Sequence, residues 1–269
     1  MQLALDPVQE RLVESLQREG IAVVSFAELF GDPTRWEALA GDMAQFIAEV
    51  EPSLPELRAR DDRKAYIVRR FQKKKRAFEI NDPWLQLGLS SEVLDVVNAY
   101  RGSLMRLVDF DNWYTIPDAA AEHRVASQRW HRDPWDNHIV KVFAYFSDVD
   151  EDAGPFEFVA GSPAGGRYGH LWPWLDAHDN GVYPPQDELA QAVEPNDVRT
   201  LTGPPGTIIF CDTSGFHRGG WARTKPRVLS YHAYVAPGTK SPKFTVEGNG
   251  HSELTAPARF AAFGSAVAG

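Results

Sequence analysis

The feature that most limits what this chain can fold into is the run of β-type segments after residue 103. Strands are expected over residues 104–116, 128–133, 139–149, 156–159, 207–210 and 227–235. Gly, Pro, Asp and Asn fill the turns between them. No helix is regularly interleaved, so the pattern favours a sandwich or barrel over a parallel α/β sheet. The preceding part reads differently. A helix is expected over residues 6–19, capped by Asp6 and Pro7, striped by Val8, Leu12, Val13 and Leu16, and stopped at Gly20. A short strand over 21–26 follows, then a helix from Asp32 through Trp36, Leu39, Met43 and Phe46. A strand over 66–71 and helices from Asp82 and over 91–100 complete this part. A length of 269 residues fits one large domain or two small ones. Without a flexible linker near residue 102, one domain is expected: a helical buttress over 1–102, a β core over 103–240, and a C-terminal tail over 241–269.

Charge and cysteine content narrow the function. A net charge of −9 argues against general nucleic-acid binding. The one cysteine, Cys211, excludes an internal disulfide framework and a Cys-based zinc cluster. Neither a signal-like N-terminus nor a run of apolar residues long enough to span a membrane is present. A cytoplasmic protein is expected. Ten Lys or Arg lie between Arg58 and Arg76. Such a run reads first as a solvated face and second as an attractor for an anionic substrate.

The chemistry centres on Gln128-Arg-Trp-His-Arg-Asp-Pro134. His131 and Asp133 sit two apart, which on a strand means one face and about 6.6 Å of chain. An imidazole and a carboxylate so placed can converge on one metal. His217, in Asp212-Thr-Ser-Gly-Phe-His-Arg-Gly-Gly220, is the best third ligand. Two His and one carboxylate form the facial triad of non-heme Fe(II) oxygenases, with positions left open for substrates. The alternative is a surface His in a Gly-rich loop. Arg227 opens the next strand, ten positions after His217 (227 − 217). Its planar fork suits the remote carboxylate of a keto acid. The alternative there is an Arg facing water at a strand end.

Ser127-Gln-Arg-Trp-His-Arg-Asp-Pro134, Lys141-Val-Phe-Ala-Tyr-Phe-Ser-Asp-Val-Asp150, Ala153-Gly-Pro-Phe-Glu-Phe-Val-Ala-Gly-Ser162 and Phe216-His-Arg-Gly219 together resemble the phytanoyl-CoA dioxygenase family. The resemblance covers roughly residues 104–236. It implies a double-stranded β-helix (jelly-roll, cupin-like) core and an enzyme dependent on Fe(II), 2-oxoglutarate and O2. His131, Asp133 and His217 match the family's iron ligands, and Arg227 its 2-oxoglutarate anchor. Gln128, Trp113 and Lys141 are further candidates for the cosubstrate, although a lysine snorkelling to water is the plainer reading of Lys141. Three positions depart from the pattern: Leu229 and Gly219 stand where related enzymes often have Ser, and Pro163 where many have His. The first two leave cosubstrate contacts for other residues to supply.

The implied reaction is oxidation of an unactivated C–H bond of a small molecule, releasing succinate and CO2. Asp133 occupies the position where iron halogenases have a small residue, so hydroxylation, or a related desaturation or ring oxidation, is expected. Two other readings stay open: a cupin-type metal-dependent isomerase or hydrolase without 2-oxoglutarate, and a non-catalytic binding protein on the same scaffold. Residues 161–203 form a long connection with Trp172, Trp174, His170 and His178. Segments of that length are usually functional or mobile, and a lid over the metal is expected.

Overall fold

The structure, a computed structural model, describes residues 4–60, 64–72, 76–172, 182–248 and 252–265. Helix α1 (Pro7–Glu19) opens with a reciprocal cap. Asp6 Oδ1 accepts from Val8 N at 2.8 Å and Gln9 N at 2.9 Å, while Gln9 Oε1 accepts from Asp6 N at 3.0 Å. A cap of this kind contributes about 1 kcal/mol. Gly20, at φ 81°, ends the helix. A Cβ there would lie 2.5 Å from Pro163 Cγ, so both conformation and space require glycine.

Then come β1 (Ile21–Ser25), α2 (Phe26–Phe30), α3 (Pro33–Val50), α4 (Leu54–Arg58), β2 (Ile67–Arg69), β3 (Arg76–Glu79), α5 (Pro83–Leu89) and α6 (Ser91–Arg101). The remainder comprises β4 (Arg106–Thr115), β5 (Val140–Tyr145), β6 (Phe156–Val159), α7 (Gln186–Ala192), β7 (Val198–Leu201), β8 (Thr207–Asp212), β9 (His217–Arg218), β10 (Arg227–Val235), β11 (Phe244–Glu247) and α8 (Ala256–Phe263).

Six strands form one sheet in the order β1-β8-β5-β10-β4-β2, and three form a second in the order β7-β6-β9. The registers decide which side chains share a face. Arg227 opposes Thr115, Leu229 opposes Trp113 and Tyr145, Tyr231 opposes Asp111 and Phe143, and Ala233 opposes Lys141. Because side chains alternate, these residues all project from one face of the large sheet. There Phe143, Tyr145, Ile209, Leu229 and Tyr231 pack with Phe156 and Phe158 of the small sheet. The two sheets therefore face each other as a double-stranded β-helix. The opposite face of the large sheet carries Val140, Val142, Ala144, Phe210, Val228 and Tyr234, which join the apolar residues of α1, α3, α5, α6 and α8. Strand β10 is buried on both faces, which is why it reads as a nearly continuous apolar run.

β1 and β2 come from the part expected to be a helical buttress, yet both are hydrogen bonded into the large sheet. The connection over 161–203 contains α7 and β7, and β7 pairs with β6 as an edge of the small sheet. Trp174 and His178 lie outside the described residues. The same holds for Arg63, Lys73, Lys74 and Lys75 of the basic run. Its described members are not all one solvated face: Arg58 and Lys64 are exposed, whereas others are tied into the fold. Arg76 is buried on Asp109, Arg70 pairs with Asp42, and Arg60 donates to the carbonyls of Ala65 and Ile67 at 2.9 and 3.1 Å. Among the described residues no helix is long and apolar enough to cross a membrane.

Candidate metal centre and cosubstrate pocket

The expected strand over 128–133 is instead a 3-10 turn, Ala126–Gln128, followed by a single antiparallel bridge between His131 and His217. Ala126 at φ 45° bends the chain before it, and Pro134 follows it. The bridge has two hydrogen bonds, His131 N to His217 O at 3.0 Å and His217 N to His131 O at 2.9 Å. Asp133 N donates to Thr213 O at 2.9 Å. This extended pairing is enough to put His131 and Asp133 on one face, opposite His217 on β9. One potential ligand atom from each lies within 4.8 Å of the other two.

Each imidazole is oriented by a backbone carbonyl. His131 Nδ1 lies 2.9 Å from Arg129 O, and His217 Nδ1 lies 2.9 Å from Gly215 O. A carbonyl can only accept, so Nδ1 carries the proton and Nε2 keeps its lone pair for a metal. Burial, then the neighbouring His131, pushes His217 down to about 3. Burial also lowers His131. Burial alone would raise Asp133, but the Lys141 ammonium, with His217 and His131, holds it well below the usual carboxylate range. Two neutral imidazoles and one carboxylate are the protonation states that a divalent metal needs.

Lys141 is not a snorkelling side chain. It is buried on the inner face of β5, with Nζ 2.6 Å from Asp133 Oδ2. Its strand places it inside the barrel, and the carboxylate supplies the counter-charge that water would otherwise supply.

A cavity of about 360 Å3 connects the triad to Arg227, within the size range of small-molecule sites. Arg227 is fully inside, and its Nε and Nη1 have no hydrogen-bond partner among the described residues. Burial lowers its pKa, while the Tyr145 and Tyr66 phenols oppose the shift. A Cβ on Gly219 would lie 2.8 Å from Nη1, and one on Gly220 would lie 2.9 Å from Nη2. The two glycines thus leave room for the guanidinium, and a Ser at 219 would crowd it. Leu229, the other departure, lines the same cavity two residues along β10.

Sequence reasoning missed Thr115. It is fully buried, faces Arg227 in register, and its Oγ1 has no hydrogen-bond partner among the described residues. Its side chain shares the face of Trp113 and Arg227, and the period-two pattern of β4 beside Trp113 was the available signal. Trp113 lines the cavity, and its Nε1 has no hydrogen-bond partner among the described residues. Gln128 does not reach the cavity. Its amide accepts from Val125 N at 2.9 Å and donates to Gly220 O at 2.9 Å, holding the glycine turn around Arg227. Pro163 wedges between Gly20 and Gly215, 2.5 and 2.9 Å from where their Cβ atoms would be, and so packs beside the loop carrying His217.

No protein-family model and no curated protein matches the chain. Solved structures share its fold, among them proteins crystallised with iron, nickel or 2-oxoglutarate. The epimerase SnoN from nogalamycin biosynthesis, crystallised with Fe3+, alpha ketoglutarate and nogalamycin RO, superimposes with a TM-score of 0.53 at 19% identity over 88% of each chain. EctD from S. alaskensis with 2-oxoglutarate and 5-hydroxyectoine gives 0.57 at 16% identity, over 90% of this chain and 80% of that one. HygX from Streptomyces hygroscopicus with nickel and 2-oxoglutarate gives 0.52 at 16% identity, over 91% and 90%. At these identities the likeness is one of fold.

Proposed function

We propose that this protein is a non-heme Fe(II)- and 2-oxoglutarate-dependent dioxygenase, similar to the phytanoyl-CoA dioxygenases, that hydroxylates an unactivated C–H bond of a small molecule. One observation carries the reading. A buried His-Asp-His triad and a buried arginine with unpartnered nitrogens share one cavity. In this reading His131, Asp133 and His217 hold iron. Arg227 pairs bidentately with the remote carboxylate of 2-oxoglutarate, Trp113 lines the same cavity, and Thr115 packs behind Arg227 in register. The bound iron and 2-oxoglutarate supply the oxidising power, with O2 as oxidant and succinate and CO2 as by-products. The chain positions the groups, keeps the imidazoles neutral, and surrounds the site with Phe143, Phe156, Leu229 and Tyr231 to limit water. We take the whole chain as one oxygenase domain, a reading supported by β1 and β2 joining the large sheet.

The test is anaerobic titration of Fe(II) and 2-oxoglutarate, watched for a metal-to-ligand charge-transfer band. Admission of O2 should then yield succinate. His217→Ala should lose the band while keeping the fold. Stoichiometric iron and full turnover in that variant would overturn the triad. Metal-dependent turnover without succinate would favour an isomerase or hydrolase.

A further inference from the structure

A protein of net charge −9 has concentrated positive charge at this one cavity. Its lining includes Lys64, Arg69, Lys141, Arg218, Arg227 and Lys243, against a single carboxylate among the described residues, Asp133. Some of these charges are already matched. Lys141 pairs with Asp133, Arg218 pairs with Glu157, and Lys243 pairs with Asp109. Arg69, and Lys240 beside the lining Trp135, have no carboxylate within ion-pair distance among the described residues. Arg69 instead lies with its guanidinium 5.2 Å from the Trp113 ring centroid. Lys240 Nζ lies 4.0 Å from the Trp135 centroid, where Lys243 Nζ also sits at 4.3 Å and Lys141 Nζ at 4.9 Å. Three ammonium groups around one indole repel one another, and cation–π attraction offsets only about 0.5–2 kcal/mol for each. Burial and the nearby Lys243 lower the Lys240 pKa, as expected for an under-compensated cluster.

The same cavity is walled by aromatic rings. Trp113 and Trp135 carry the cations at its outer side, and Phe143, Phe156 and Tyr231 lie deeper. A second cavity of about 330 Å3 shares Arg69, Tyr231 and Lys243 with it, so the basic rim lies between two adjoining spaces. Arg227 lies beside Gly219, Gly220 and Thr115, on the side assigned above to 2-oxoglutarate.

We infer that the primary substrate is a carboxylate-bearing compound with a flat apolar ring: the carboxylate binds between Arg69, Lys240 and Lys243, and the ring stacks among Trp113, Trp135 and Tyr231. This rests on the oxygenase reading, because it assigns Arg227 to a different carboxylate. The rim set provides one fork, suited to bidentate pairing, and two point charges. The ring is held between the rim and the triad, which presents one of its C–H bonds to the metal.

The test uses protein loaded with Ni(II) and saturated with 2-oxoglutarate, so that the keto-acid site is filled. Calorimetry compares 2-naphthoate with its neutral counterpart 2-naphthylmethanol. The acid should bind about tenfold tighter at about 50 mM salt, and the difference should shrink toward about 500 mM. Arg69→Gln with Lys240→Gln should remove that preference while the alcohol's affinity stays within about twofold. Arg69→Lys, which keeps the charge, should retain most of it. Equal affinities for acid and alcohol, no binding of either, or a preference that survives the double variant would overturn the inference. If 2-oxoglutarate itself fails to bind, the oxygenase reading falls separately. The acid and alcohol are then compared without it, and the same double variant shows whether the rim still selects the anion.

Discussion

Lys141 Nζ lies 2.6 Å from Asp133 Oδ2, and the two side chains are only 10% and 9% exposed. The same carboxylate oxygen lies 3.6 Å from His217 Nε2. An ammonium therefore shares the oxygen that would face a metal. Removing the ammonium leaves a buried carboxylate without a counter-charge, which costs about 3–5 kcal/mol. It also removes a like charge from beside a divalent cation. Lys141→Met is expected to melt well below the parent in the presence of a chelator, and to recover most of that loss when Ni(II) is added. Thermal denaturation with and without Ni(II) measures both. Equal Ni(II) stabilisation of parent and variant would show that Lys141 does not oppose the metal. A large loss of 2-oxoglutarate affinity instead would make Lys141 a cosubstrate anchor.

Arg227→Ala is expected to weaken 2-oxoglutarate binding about 10- to 150-fold, since a charged hydrogen-bonded pair contributes about 1.5–3 kcal/mol. Gly219→Ala is the more discriminating change. Its Cβ would lie 2.8 Å from Arg227 Nη1 and 3.2 Å from both Phe156 Cα and Pro155 O, so the guanidinium must move. Calorimetry should show a several-fold weaker 2-oxoglutarate affinity with Fe(II) affinity unchanged. Parent-like 2-oxoglutarate binding in both variants would place the anchor elsewhere.

Much of this arrangement was legible because long strands carry a period of two. The expected strand over 227–235 coincides with β10 (Arg227–Val235), and the one over 104–116 encloses β4 (Arg106–Thr115). What the pattern could not show was pairing between distant segments. β11 lies parallel to β3, with Phe244 opposite Arg76, and nothing local to either segment announces it. β9 has two residues, too few for any periodicity, and His131 is held by a bridge rather than a strand. Thr115 escaped notice because its importance comes from facing Arg227, a fact of register. Lys141 was misread because a lysine among apolar neighbours usually reaches water, whereas this one reaches Asp133.

The segment from residue 182 borders the cavity through Val182 and Tyr183, and Arg132 N donates to Val182 O at 3.0 Å. Farther on, Leu189 and Val193 pack with Trp130, Val159 and Phe216, and β7 is hydrogen bonded to β6. A lid here would involve residues near 182–185 and leave β7 in place. Hydrogen exchange with Ni(II) and 2-oxoglutarate should slow at the amides of Val182 and Tyr183 and stay unchanged over 198–201. Exchange at Val182 and Tyr183 that is as slow as in β10, with and without ligands, would exclude a moving lid.

Asp111 links stability to pH. It is 4% exposed on the inner face of β4, with Oδ1 accepting from Phe71 N at 2.8 Å and Asn112 N at 2.9 Å. Burial raises its pKa from an ordinary 3.8 to about 6, and the two backbone donors and Arg76, at 3.8 Å, only partly offset it. The raised value means that the native state binds this proton more tightly than the unfolded chain. Below about pH 4 the group is neutral in both states and has no effect; through about pH 6 its ionisation progressively costs stability, and above that the cost is complete. A shift of about two units corresponds to about 3 kcal/mol as an upper bound. Asp111→Asn keeps an oxygen for the two backbone donors and removes the charge. It is expected to stabilise the protein by about 1–3 kcal/mol near pH 8, with the advantage disappearing toward about pH 4. Denaturant unfolding across that range measures the difference, and a variant less stable at pH 8, or a gap independent of pH, would show that Arg76 fully compensates the Asp111 charge.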